Sequence, residues 1–109
     1  MHELGITQSI VEMVAGRAAD ARIQRVTVEI GKLSAILPDA IRFCFDICAQ
    51  GTAAEGAALE IIAVPGRGRC RDCGREQAMD HWLASCACGA IGLQCIAGEE
   101  LKIKSMEVI

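Results

Sequence analysis

Cys70-Arg71-Asp72-Cys73-Gly74, followed twelve residues later by Cys86-Ala87-Cys88-Gly89, is the stretch on which the architecture turns. Two tight pairs of thiols can converge on one ion. Zn²⁺ accepts four thiolates in a tetrahedron and imposes no geometry of its own from d electrons. A glycine follows each pair, where the backbone can turn sharply and aim amides at the sulfurs. All four positions are filled, so no coordination site stays open and the ion is expected to be structural. The segment between the pairs has little apolar content beyond Met79, Trp82 and Leu83, so metal must supply its local folding energy. The second pair is one residue tighter than the first, which leaves His81 or Cys95 as substitutes for one thiolate. Cys95, beside Leu93 and Ile96, reads better as a small buried hydrophobe, and His81 as an exposed loop residue.

Working outward, the texture on both sides of this block is different. Ile10, Val14 and Ala18 step by four and, with Val11 and Met13, predict a helix over 4–19. Val26, Val28 and Ile30 alternate with Thr27 and Glu29, which predicts a half-buried strand over 25–31. Pro38 opens a second helix at its first turn, where its missing N–H costs nothing. Ile41, Cys44, Phe45 and Cys48 form that helix's apolar face, and Gly51 ends it. Cys44 and Cys48 therefore read as packing residues rather than ligands. Residues 52–58 are a small-residue loop, 59–64 a second strand and 101–109 a third. The expected class is α+β: a small sheet of three strands covered by two helices, with an inserted zinc-ribbon subdomain. The expected boundaries are 1–65 with 98–109 for the α/β domain, and 66–97 for the ribbon.

The chain has 109 residues and a net charge of −3, with 3% aromatic residues. That length excludes barrel and full doubly wound enzyme folds, and no apolar run is long enough to span a membrane. Seven cysteines, an odd number, without a recognisable secretory signal fit a reducing, cytoplasmic setting in which disulfides do not persist. Net acidity argues against a general nucleic-acid coat. Arg67, Arg69, Arg71 and Arg75 nevertheless cluster at the first knuckle. They keep open an alternative reading, a nucleic-acid-binding zinc ribbon, and also an acidic docking partner. A thiol redox protein is a third, weaker reading. Phosphate-loop, His-Glu-x-x-His and Gly-x-Ser-x-Gly signatures are all missing, so no catalytic residues are assigned.

Met1-His2-Glu3 is the second place where chemistry gathers. The Met1 amine, the His2 amide nitrogen and its Nδ1 can close fused five- and six-membered chelate rings, with Glu3 completing the set. Ni²⁺ and Cu²⁺ displace an amide proton and accept planar nitrogen-rich geometry, whereas Zn²⁺ does so poorly. The plainer reading is a mobile terminal His and a Glu that complements the helix dipole.

Taken in order, Met1-His2-Glu3-Leu4, Val26 to Ser34, Pro38 to Asp46, Ala54-Glu55-Gly56-Ala57, the cysteine pairs and Gly98-Glu99-Glu100-Leu101 resemble the hydrogenase maturation nickel metallochaperones, the HypA/HybF family. The resemblance runs through the whole chain. It implies a nickel carrier that is not an enzyme and that serves [NiFe]-hydrogenase and, in some organisms, urease. It implies a nickel site at His2 and Glu3, and zinc on Cys70, Cys73, Cys86 and Cys88. The implied partners are a nickel-handling GTPase, the hydrogenase large subunit and urease accessory proteins. No membrane is implied, and a monomer or a homodimer fits equally. The second knuckle departs from the family's usual Cys-x-x-Cys and lacks the proline that often follows its third cysteine.

Overall fold

The structure, a computed structural model, describes residues 2–109. Helix α1 (Glu3–Ala18) is followed by β1 (Ile23–Gly31), α2 (Pro38–Ala49), β2 (Ala58–Val64), β3 (Arg67–Arg69), β4 (Glu76–Ala78), β5 (Gln94–Ala97) and β6 (Leu101–Val108). Two three-stranded sheets result, in the orders β2-β1-β6 and β4-β3-β5. The chain falls into two compact units. One comprises the chain up to Val28, Ile36–Ile62 and Lys102–Ile109, and the other Glu29–Ala35 and Ala63–Leu101.

In the first unit the helical period decides what is buried. Glu3, Thr7, Ile10, Val11, Val14 and Ala18 form one inward stripe of α1. Met13, expected on that face, is 56% exposed; at three residues past Ile10 and one before Val14 it falls on the stripe's outer side. On α2 the inward residues are Ile41, Phe45 and Ala49, while Cys44 and Cys48 are half-buried at the margin. Pro38 stands at the first turn as expected, and Gly51 leaves the helix in the left-handed region at φ 77°.

Strand β1 is the centre of the first sheet, and this explains a burial stronger than half. Val26 and Val28 are fully covered, and Thr27 on the opposite face is buried too. On that opposite face Arg25 reaches Glu60 of β2 at 3.3 Å and Glu107 of β6 at 3.4 Å. Such exposed pairs each contribute at most about 1 kcal/mol.

The second unit holds a sheet that hydrophobic periodicity did not signal, because its strands have only three or four residues. In it β3 pairs antiparallel with β4 (Arg67↔Ala78, Arg69↔Glu76) and with β5 (Gly68↔Cys95, Arg69↔Gln94). Its core is Leu33, Cys70, Met79, Cys86 and Leu93, with Ala84, Ala90 and Cys95 packed against it. Gly31, Gly66 and Gly98 meet backbone to backbone. A Cβ on Gly31 would lie 2.0 Å from the Gly98 carbonyl oxygen, and one on Gly98 would lie 2.6 Å from the Gly66 Cα. Nothing larger than hydrogen fits there.

Candidate metal centre

The four expected zinc ligands come together. One ligand atom from each of Cys70, Cys73, Cys86 and Cys88 falls within 4.8 Å of all the others. The two close edges cross between knuckles: Cys70 Sγ to Cys88 Sγ and Cys73 Sγ to Cys86 Sγ, both 3.6 Å. Four sulfurs on a tetrahedron with metal–sulfur bonds of ~2.3 Å would be ~3.8 Å apart, so the cluster fits one Zn²⁺. The shortened second knuckle thus brings both of its thiols into the cluster. Neither His81 nor Cys95 joins the cluster. His81 is exposed, and the half-buried Cys95 donates its S–H to the Ala97 carbonyl at 3.2 Å.

Local backbone chemistry builds the cradle. The first knuckle closes with the Gly74 amide on the Cys70 carbonyl at 2.9 Å, and the second with the Gly89 amide on the Cys86 carbonyl at 3.0 Å. Both glycines sit at positive φ, 76° and 99°, as the sharp-turn reading requires. The Cys88 amide points at Cys86 Sγ at 3.5 Å. One thiol of each pair faces the core (Cys70, Cys86) and one faces solvent (Cys73, Cys88).

The thiols compete for negative charge. The Cys73 amide, followed by the Asp72 amide and the neighbouring thiols, draws the Cys70 thiol down to about 7. The Ala90 amide favours a thiolate at Cys88, but Cys86 and Cys70 outweigh it and push that thiol up to about 12. Four thiolates this close repel one another, and a divalent cation at their centre removes the conflict.

The expected amino-terminal residues part company. Met1 lies outside the described residues. His2 is exposed, with its carbonyl accepting from the Ile6 amide at 2.9 Å as the first bond of α1. Glu3 is only 7% exposed, and its Oε2 accepts from the Leu37 amide at 3.1 Å. Thr7, beneath it, donates its hydroxyl to the Glu3 carbonyl at 2.5 Å. Glu3 thus ties the start of α1 to the residue preceding α2. Sequence gave no sign of this, because the two partners are 34 positions apart.

Two helices on a small sheet, together with a cluster of four cysteines, define a small protein with a four-cysteine metal-binding site. The family described as "Hydrogenase/urease nickel incorporation, metallochaperone, hypA" matches residues 1–108, and the chain belongs to it. The hydrogenase maturation factor HypA of Nostoc punctiforme is 61% identical over 108 residues, covering 99% of this chain and 96% of that protein. HypA of Geobacter metallireducens is 50% identical over 109 residues, covering 99% of each. A solution structure of HypA superposes with a TM-score of 0.73 at 25% identity, covering 100% of this chain and 97% of that one. The Ni metallochaperone HypA from Helicobacter pylori shares the fold, with a TM-score of 0.67 at 23% identity, covering 100% and 98%. The family is one of maturation factors rather than catalytic enzymes. No helix among the described residues is long and apolar enough to cross a membrane.

Proposed function

We propose that this protein carries Ni²⁺ on its first three residues and hands it on for assembly of [NiFe]-hydrogenase, with urease as a second recipient, while Zn²⁺ holds the ribbon. The observation that carries this reading is the division of ligands. The sulfur set is complete and closed, so a transferable ion needs other donors, and the exposed His2 is the nitrogen donor at the chain's start. The Met1 amine, the His2 amide nitrogen and His2 Nδ1 would chelate the ion in a plane, a geometry Ni²⁺ accepts and Zn²⁺ does not. Anchoring by Glu3 supports a defined exit for these donors. In this reading the nickel-handling GTPase and the hydrogenase large subunit are the partners in a cytoplasmic transfer. The domain assignment of 1–65 with 98–109 for nickel and 66–97 for zinc belongs to the same proposal.

The test is parallel nickel and zinc titration of the untagged protein, of a form extended before Met1, and of His2→Ala. Both changes are expected to weaken nickel binding while zinc content and the melting curve stay unchanged. Nickel affinity unaffected by both refutes the terminal chelate.

A further inference from the structure

Neither metal site uses the arginines of the second unit. Arg67 and Arg69 lie two apart on β3 and so leave the same face of its sheet. Gly68 between them turns inward, where a Cβ would meet Leu93 and Met79. Small neighbours leave Arg67 open: the residues across from it are Ala78 on β4 and Ala97 on β5. Arg69 donates to Glu76 at 2.7 Å, an exposed pair whose partners exchange at little cost. Among the described residues no carboxylate lies within ion-pair distance of Arg67, Arg71 or Arg75. Charge is segregated along the chain. Residues 67–78 carry a net +2, while the rest of the protein carries −5 to give the overall −3.

We infer that the Arg67–Arg69 face of the ribbon sheet, with Arg71 and Arg75 beside it in the knuckle, docks an acidic, extended polypeptide segment of a partner protein. Guanidinium forks on one face of a strand repeat every ~6.8 Å, and alternate carboxylates of an extended chain repeat at the same interval. Each fork can grip a carboxylate through two parallel hydrogen bonds. A nucleic acid fits less well. Residues 67–78 contain no aromatic residue, and the half-exposed Trp82 beyond them is a single stacking surface where a strand of bases needs several; a polyanion longer than the patch also meets the repulsion of a molecule otherwise net −5. The inference is independent of the nickel reading.

The experiment uses the zinc-loaded full chain and a fluorescein-labelled octapeptide of alternating Glu and Ser, followed by anisotropy. Binding at low ionic strength is expected, weakening about tenfold or more at high salt as screening shortens the field. Arg67→Glu and the milder Arg67→Gln should each weaken it, with zinc content measured to show an intact ribbon. Arg17→Glu, on α1, should leave it unchanged. A single-stranded twelve-nucleotide DNA should bind more weakly than the peptide. No peptide binding at low salt, equal losses from Arg17→Glu and Arg67→Glu, or tighter binding of the DNA would each overturn the inference.

Discussion

Gly31→Ala places one methyl group where the chain crosses itself. The added Cβ would stand 2.0 Å from the Gly98 carbonyl oxygen, 2.2 Å from its carbon and 2.7 Å from the Glu100 nitrogen. Ordinary contact needs ~3.5–4.0 Å, and every clashing atom is backbone, so no rotamer change relieves it. Moving the 98–100 segment away stretches two short bonds, Gly31 N–H to the Glu100 carbonyl and Leu33 N–H to the Gly98 carbonyl, both 2.7 Å. Two hydrogen bonds at about 1–1.5 kcal/mol each, with about 1–3 kcal/mol of overpacking, give a loss of about 3–6 kcal/mol. For a domain of this size that corresponds to a melting point lower by roughly 13–26 °C. It is also a large share of the ~5–15 kcal/mol that such domains possess. The assay is thermal unfolding of the zinc-loaded protein by circular dichroism, with released zinc measured in the same sample. Gly16→Ala is the control. Nothing lies within 4 Å of its Cβ position inside α1, and it should gain about 0.5–1 kcal/mol. A Gly31→Ala protein melting within two or three degrees of the parent would refute the reasoning.

Replacing Cys86, a buried member of the four-cysteine cluster, by Ala should abolish stoichiometric zinc, measured by metal analysis, and cost the second unit its amide-exchange protection, because metal binding and local folding are one equilibrium. Acidification should release zinc from the parent protein. Protons compete with the ion for the thiolates, so zinc retention holds at higher pH and falls as pH drops, and a chromogenic chelator follows it. Glu3→Ala should cost about 1–3 kcal/mol by denaturant titration, because it leaves the Leu37 amide without its carboxylate. Phe45→Ala, at a side chain of α2 that is only 1% exposed, should cost about 3–5 kcal/mol and leave little folded protein at 37 °C.

The amino-acid order by itself determined what depends on near neighbours. The steps of four in Ile10, Val14 and Ala18 give α1, Pro38 and Gly51 bracket α2, and the alternation around Val26–Ile30 gives β1. The spacing of Cys70, Cys73, Cys86 and Cys88 marks a sulfur site, because each pair is brought together by its own short turn. Only the tertiary structure decided that Cys70 closes on Cys88 and Cys73 on Cys86. It also placed Cys44 and Cys48 at the margin of the helix core, and it paired Arg67–Arg69 with β4 and β5 in a sheet too short to show a hydrophobic period. The Glu3–Leu37 bond and the meeting of Gly31, Gly66 and Gly98 belong to the same group. Their partners lie more than thirty positions apart in the chain, and nothing local in a single Glu or Gly says which distant amide or carbonyl it will face. That choice is made when the whole chain finds the packing that satisfies its buried backbone groups at once.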